Sequence, residues 1–128
     1  MIEVKKIPNK GRGIIATQHI PKGKLLEVAP VEVFQFEQKQ SINETEVFKY
    51  YFVKPSEYSK SKDVKRYLIF GLASLCNHAE EPNARVEWVE NEIGLWSHLI
   101  AQRDIEVGEE VTLFYTNIDE YSEANKFV

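Results

Sequence analysis

Hydrophobic and polar residues alternate along much of the chain with the two-residue period of half-buried β-strands. Ile2 and Val4 alternate with polar residues, and the same spacing returns at Ala84, Val86 and Trp88. The predicted strands cover residues 2–4, 14–17, 25–29, 31–36, 47–53, 67–70, 84–88, 93–101 and 111–115. Many of them are rich in β-branched and aromatic residues, which favour strands. The pattern predicts a mostly β domain with few short helices.

Glycine and proline residues mark the turns between these strands. Lys10-Gly11-Arg12-Gly13 predicts a flexible turn, and Pro21-Lys22-Gly23 predicts a second one. The segment DIEVGEEVTL at residues 104–113 repeats the pattern of HIPKGKLLEV at residues 19–28. We therefore expect two similar turn-and-strand units, which are too few and too far apart along the chain to form a stacking array.

Two segments depart from the strand pattern. Ser41-Ile42-Asn43-Glu44 has the spacing of a capping box, which predicts a short helical turn. Residues 55–65, PSEYSKSKDVK, are polar and show neither the two-residue period of a strand nor the 3.6-residue period of a helix. This composition predicts an exposed loop. Both lie in an insertion-like segment of about residues 41–70. The whole chain, residues 1–128, is predicted to be one domain with a short tail over residues 117–128.

Composition narrows the class of protein. The chain has 43% hydrophobic and 28% charged residues, which is typical of globular proteins. It contains no apolar run near the roughly 20 residues of a membrane span. Its first residues, MIEVKK, lack the apolar region of a secretory signal. We expect a cytoplasmic protein that does not bind a membrane.

Charge and ligand-type residues limit the partners and metals. The chain has 16 basic and 20 acidic residues, with a formal net charge of −4, which disfavours direct nucleic-acid binding because phosphate contacts need a basic surface. The acidic clusters favour a basic partner, although solvated surface also explains each cluster. The single cysteine, Cys76, excludes an internal disulfide, and the 3 histidines are too scattered to predict a zinc site.

Polar residues interrupt an apolar run within LASLCNHAEEPN, residues 72–83. Asn77 and His78 end the apolar part and must find hydrogen-bond partners, because an unpaired buried amide costs about 1–3 kcal/mol. The partner is either protein or ligand, and a helix end or turn also explains the pair. Pro82 restricts Glu81 to an extended backbone, which predicts a pre-set loop. This stretch is the first candidate site.

A further motif contains residues suited to binding. Gly11 and Gly13 allow a ligand to approach the main chain closely, and Arg12 adds a positive charge, although an ordinary turn also explains them. Tyr115 ends the last predicted strand, where a buried tyrosine with a hydrogen-bonded hydroxyl explains it.

Taken together, the motifs resemble those of the SET-domain protein-lysine methyltransferases. They are GRG at residues 11–13, NHAEEPNA at residues 77–84 and AQRDIEVGEEVTLFY at residues 101–115, and the resemblance extends from about residue 5 to residue 116. It implies a β-clip fold of small sheets. In this fold the C-terminal segment passes under the loop that contains Asn77 and His78, in a pseudoknot-like arrangement.

The resemblance also implies a function, which is transfer of a methyl group from S-adenosylmethionine to a lysine of a basic protein substrate such as a histone, without a metal. The residues implied in cofactor binding are Gly11, Arg12, Gly13, Asn77, His78 (through its backbone) and Tyr115. Tyr115 is also the implied catalytic residue. The candidate walls of the lysine channel are Tyr50, Tyr51, Phe52 and Tyr67, although core packing explains each of them equally well.

The chain departs from the family pattern in three ways. Ser74-Leu75 replaces a common Arg-Phe, and Asn117 replaces a common second tyrosine, which leaves open how many methyl groups are transferred. The cysteine-rich zinc-binding extension is missing, so either Tyr121 and Phe127 or the partner subunit of a homodimer would close the site. A catalytically silent module that binds a basic peptide or the cofactor is the alternative function, and Tyr115 favours the enzyme.

Overall fold

The structure, a computed structural model, describes residues 1–35 and 50–118 and contains two β-sheets. The strands are β1 (Ile2–Ile7), β2 (Gly11–Ala16), β3 (Leu25–Phe34), β4 (Tyr51–Phe52), β5 (Arg66–Ile69), β6 (Asn77–His78), β7 (Ala84–Asn91), β8 (Gly94–Ala101) and β9 (Glu110–Leu113). The helices described are a short α-helix, α1 (Pro55–Tyr58), and a 3-10 helix (Leu72–Leu75). The predicted mostly β fold class is confirmed.

The first sheet has the strand order β1-β2-β9-β6. Its first three strands are antiparallel, whereas β6 runs parallel to β9, with Asn77 opposite Thr112 and His78 opposite Leu113. The buried side chain of Asn83 fixes this threading, because it accepts a hydrogen bond from the Thr112 backbone and donates one to the Glu110 carbonyl, both 2.8 Å long. The last strand thus lies beside the Asn77-His78 segment, as expected.

The second sheet is antiparallel throughout and has the order β4-β5-β3-β8-β7. β7 and β8 form a hairpin whose turn is closed by Asn91, with its side-chain oxygen accepting hydrogen bonds from the backbone of Ile93 and Gly94. β3 connects this hairpin to β5 and contains a bulge between Leu25 and Glu27.

One apolar cluster joins the two sheets. Its fully buried members include Ile14, Ile20, Leu99, Ile105 and Val111. The two predicted turn-and-strand units meet in this core, where Ile20 and Ile105 exchange two backbone hydrogen bonds of 2.8 Å. Their turn glycines, Gly23 and Gly108, have nearly the same positive φ, 89° and 85°. The predicted likeness of the two units is confirmed.

Several predicted elements differ from those described. The predicted loop over residues 55–65 begins with helix α1, since Pro55 fits the first turn of a helix. The apolar residues 72–75 form a 3-10 helix, and the last strand ends at Leu113, two residues earlier than predicted. The capping-box segment 41–44, the first part of the predicted strand 47–53 and the residues Tyr121 and Phe127 lie outside the described residues.

Within residues 1–35 and 50–118, no helix is long and apolar enough to cross a membrane.

Candidate active site

The 3-10 helix brings the chain into β6 and thereby positions the Asn77-His78 pair. Ala73 is buried in the core, and the Ser74 hydroxyl donates a hydrogen bond of 2.8 Å to the Gly71 carbonyl. Cys76 follows the helix and is also buried, and its burial raises the pKa of its thiol. A thiol with a raised pKa is a poor nucleophile at neutral pH, so Cys76 serves packing rather than covalent chemistry.

Asn77 connects the helix to the glycine-rich segment 11–13. The sequence predicted a turn over residues 10–13, but the turn lies at residues 8–10, and residues 11–13 form the start of strand β2. The side-chain nitrogen of Asn77 donates to the carboxylate of Glu110 at 2.6 Å and to the backbone carbonyl of Arg12 at 3.3 Å. Lys10 lies 3.4 Å from the other oxygen of Glu110. A Cβ atom at Gly13 would lie 2.7 Å from the Asn77 nitrogen and 2.8 Å from the carboxylate, so only glycine fits there. The structure therefore brings together the glycine-rich segment 11–13 and Asn77, two motifs far apart in the sequence.

His78 holds Tyr115 through its ring. The imidazole is 2% exposed, and its Nδ1 accepts a hydrogen bond of 2.9 Å from the backbone N–H of Tyr115. Nδ1 is therefore unprotonated, and the proton of a neutral ring is on Nε2, which lies 3.4 Å from a carboxylate oxygen of Glu80. The His78 ring also packs against Phe114 and Tyr115, with centroid distances of 5.0 and 5.2 Å. The resemblance implied a role for the His78 backbone only, and the structure adds this contact of the side chain.

Tyr115 is held by hydrogen bonds at its backbone N–H and at its side-chain hydroxyl. Its backbone is bound by His78, and its hydroxyl donates a hydrogen bond of 2.6 Å to the backbone carbonyl of Cys76. The phenol therefore lies against the segment that contains Asn77, and its orientation is set before any ligand binds.

A narrow cavity of about 30 Å³ lies beside the Tyr115 ring. It is lined by Tyr50, Tyr51, Phe52, Val53, Ser74, Phe114, Tyr115, Thr116 and Asn117. This volume holds one or two groups the size of a water molecule. The predicted channel residues Tyr50, Tyr51 and Phe52 thus surround the same space as Tyr115.

Tyr67, the fourth predicted channel residue, has a different environment. Its hydroxyl donates to the carboxylate of Glu57 at 2.9 and 3.1 Å, and its ring packs on Trp88 with a centroid distance of 5.1 Å. Burial, followed by the hydrogen bond to Glu57, raises the pKa of Tyr67. Tyr67 does not line the narrow cavity, and it anchors helix α1 to the second sheet.

A larger groove of about 480 Å³ adjoins the narrow cavity. Phe52, Val53, Phe114 and Thr116 line both of them. The rest of the groove is formed by Pro55, Tyr58, Ser59, Pro82, Ala84, Arg85, Val86, Trp88, Gln102 and Leu113. Among the described residues that line it, only Arg85 is charged, and it is paired with Glu87 at 2.7 Å. Among the described residues, neither Asn77 nor residues 11–13 line the groove.

Several residues of this site were not predicted from the sequence. They include Glu110, which binds Asn77, and four residues that line the narrow cavity, Val53, Ser74, Phe114 and Thr116. One signal for Glu110 was available, because Val111 and Leu113 alternate with it in the last strand and must face the core. Glu110 then faces away from these residues, on the side where its carboxylate meets Asn77 and Lys10.

Comparison with known proteins identifies the family. The family model for the SET domain matches residues 11–116. The chain belongs to the SET-domain family. A relative in Schizosaccharomyces pombe, named histone-lysine N-methyltransferase, H3 lysine-37 specific, is 29% identical over 114 residues, which are 89% of this chain and 72% of that protein. A Yarrowia lipolytica relative, named histone-lysine N-methyltransferase, H3 lysine-36 specific, is 32% identical over 124 residues, 94% of this chain and 16% of that protein.

Solved structures of SET-domain proteins share the fold. A Plasmodium falciparum protein described as a candidate histone methyltransferase superposes with a TM-score of 0.68 at 21% identity, covering 90% of this chain and 96% of that one. The Neurospora SET domain protein DIM-5, a histone lysine methyltransferase, superposes with a TM-score of 0.66 at 19% identity, covering 89% of this chain and 51% of that one. At these identities the structural likeness shows the fold alone.

Proposed function

We propose that the protein is a protein-lysine N-methyltransferase that transfers a methyl group from S-adenosylmethionine to the side-chain amine of a lysine. The observation that carries this proposal is the Tyr115 hydroxyl, which is held on the Cys76 carbonyl beside a narrow aromatic cavity. A module that only binds peptide or cofactor needs no hydroxyl at a fixed position within a space of this size. The family membership and the names of the two relatives support the same class of enzyme.

The residues around Asn77 fit the amino-acid part of S-adenosylmethionine. Among residues 1–35 and 50–118, the side-chain oxygen of Asn77 accepts no hydrogen bond, and it is therefore an available acceptor for an ammonium group. The Glu110 carboxylate, held by the same side chain, adds negative charge beside it. The exposed guanidinium of Arg12 suits a carboxylate. Asn77, Arg12 and the backbone of Gly13 would hold the cofactor here.

The cofactor would supply an electrophilic methyl group on a sulfonium, and the protein supplies position and environment. A lysine amine has a pKa of about 10.4 in water and must lose its proton before its lone pair can attack. Burial among Tyr51, Phe52 and Val53 disfavours the charged ammonium and so favours the nucleophilic amine. The Tyr115 hydroxyl, which is held on the Cys76 carbonyl beside the cavity, would orient the N–H groups of the amine.

The substrate lysine belongs to a basic protein segment that binds in the larger groove. The groove shares lining residues with the narrow cavity, and its volume of about 480 Å³ is large enough for several side chains. The chain has a net charge of −4, which attracts lysine-rich segments. Because the two relatives are named as histone H3 methyltransferases, histone H3 is the first substrate to test.

The test is radiolabelled methyl transfer from S-adenosylmethionine to recombinant histone H3 and to an array of lysine peptides, with mass spectrometry of the products. We expect label on lysine in the wild-type reaction, and none when arginine replaces the target lysine. The matched control is Tyr115→Phe, which keeps the ring and lacks the hydroxyl. A wild-type protein that binds cofactor and labels no lysine on any substrate would contradict the proposal and favour the binding module.

A further inference from the structure

The carboxylate of Glu27 caps the 3-10 helix from a neighbouring strand. One of its oxygens accepts a hydrogen bond of 2.7 Å from the backbone N–H of Leu72, and the other accepts one of 3.2 Å from Ala73. These are the first two residues of the helix, and the first N–H groups of a helix have no partner within it. Glu27 therefore satisfies both donors from 45 residues away in the sequence.

The backbone around Glu27 and Gly71 is shaped to allow this contact. The bulge in β3 shifts the strand register between Leu25 and Glu27, which changes the direction of the following side chains. A Cβ atom at Gly71 would lie 2.5 Å from a Glu27 oxygen and 2.6 Å from the Cβ of Ala29. Any residue larger than glycine at position 71 would therefore displace the carboxylate or the strand.

The capped helix and the two residues that follow it supply three groups to the active site. Ser74 lines the narrow cavity, the Cys76 carbonyl accepts the Tyr115 hydroxyl, and Asn77 begins the next strand. All three lie within five residues of the two N–H groups that Glu27 binds. The helix is only one turn long, so its own hydrogen bonds give it little rigidity. A contact at its start therefore affects the position of each of these groups.

We propose that Glu27 is a positioning residue for methyl transfer, which fixes the 3-10 helix so that the Cys76 carbonyl and Asn77 keep their places. The kinetic part of this inference rests on the proposed methyltransferase function. Its structural part, the anchoring of residues 72–77 by a carboxylate on β3, stands on the two hydrogen bonds alone. Glu27 touches neither cavity, so it acts only through the helix.

The decisive variant is Glu27→Gln. It has the same shape but replaces one acceptor oxygen with an NH2 group, which would face a backbone N–H and cannot accept its hydrogen bond. Glu27→Asp keeps the charge but is shorter by one methylene, and it tests whether reach matters. The matched control is Glu32→Gln, because Glu32 lies on the same strand, is exposed and opposes Leu68 in β5.

The first measurement is amide hydrogen exchange at Leu72 and Ala73, which needs neither cofactor nor substrate. We expect faster exchange at these two amides in Glu27→Gln and wild-type rates in Glu32→Gln. Unchanged exchange in Glu27→Gln would overturn the anchoring, whatever the protein catalyses. If exchange rises and the wild-type protein methylates nothing, the proposed function fails while the anchoring stands.

The second measurement separates positioning from general stabilisation. At a temperature where both proteins are folded, we expect Glu27→Gln to weaken cofactor binding and to lower kcat, each by about tenfold. Combined with Asn77→Ala, its effect on the cofactor Kd should largely disappear, because both changes act through the same group. A lower melting temperature with unchanged kcat and Kd, or additive effects on Kd, would overturn the positioning role.

Discussion

The hydroxyl of Tyr115 donates a hydrogen bond of 2.6 Å to the backbone carbonyl of Cys76, the residue before Asn77. This contact joins the C-terminal end of the threaded strand to the segment that contains the proposed cofactor residue. A backbone carbonyl cannot be removed by substitution, so the position of the phenol depends on the local fold. The hydroxyl is thereby held in one orientation beside the narrow cavity.

Replacement of Tyr115 by phenylalanine removes this hydroxyl and keeps the ring. We expect a folded protein whose stability falls by about 1 kcal/mol, the usual net contribution of one hydrogen bond. Turnover should fall about a hundredfold or more, with a much smaller change in cofactor affinity, because the hydroxyl acts mainly in the transition state. Single-turnover kinetics and calorimetry measure the two quantities. Wild-type turnover in this variant would remove Tyr115 from the mechanism.

Asn77 should control cofactor affinity. Asn77→Ala removes the only acceptor proposed for the ammonium group and leaves the Glu110 carboxylate without its bond of 2.6 Å. We expect the free energy of cofactor binding to weaken by about 1–3 kcal/mol, which calorimetry measures directly. Asn91→Ala is the matched control, because Asn91 closes a hairpin turn in the other sheet. An unchanged Kd in a folded Asn77→Ala protein would reject this role.

The fold and part of the site could be predicted from the sequence because they depend on local pattern. The β class followed from alternation, and the likeness of the two turn-and-strand units followed from a repeated motif, whereas the pairing of Ile20 with Ile105 did not. The closeness of Gly13 and Asn77 followed only from resemblance to a family. Asn77 and Arg12 are 65 residues apart in the sequence, and yet they share a hydrogen bond. A hydrophobic periodicity describes local structure and does not indicate which distant segments are in contact.

The contacts that could not be predicted involve side chains that act across elements. Glu27 and Glu110 look like ordinary solvated residues of strands, yet one caps a helix and the other binds Asn77. The position of the Tyr67 hydroxyl on Glu57 depends on helix α1, which begins in a segment whose composition predicts a loop. A pattern of polar residues in the sequence does not specify hydrogen-bond partners, because many hydrogen-bond donors in the chain suit each carboxylate equally well.

Cofactor binding should not require a metal ion. The groups proposed to hold S-adenosylmethionine are an amide, a guanidinium and backbone atoms, which bind the ammonium and the carboxylate of an amino acid directly. Calorimetry before and after exhaustive chelation should therefore give the same Kd. Binding that is lost on chelation and returns with added zinc would contradict this prediction and the cofactor site as assigned.

The turn that precedes β9 should make stability depend on pH in the acidic range. Glu109 accepts a hydrogen bond of 3.0 Å from the backbone N–H of Glu106, and Arg103 lies 2.8 Å from its other oxygen. The backbone hydrogen bond, with further contributions from Arg103 and Asn83, lowers the pKa of Glu109 below its ordinary value of 4.5. The ionised carboxylate is therefore the form that the folded state favours.

A lowered pKa in the folded state fixes the sign of the effect. The stabilisation from Glu109 is fully present above the ordinary value of 4.5 and is lost as the pH falls through the lower pKa of the folded state. Glu109→Gln should therefore melt a few degrees below wild type at pH 7, and the two melting temperatures should converge in more acidic solution. Glu92→Gln, in the exposed turn of the β7–β8 hairpin, is the control and should follow wild type throughout. A difference between Glu109→Gln and wild type that stays constant down to strongly acidic pH would show that the Glu109 carboxylate does not contribute through its charge.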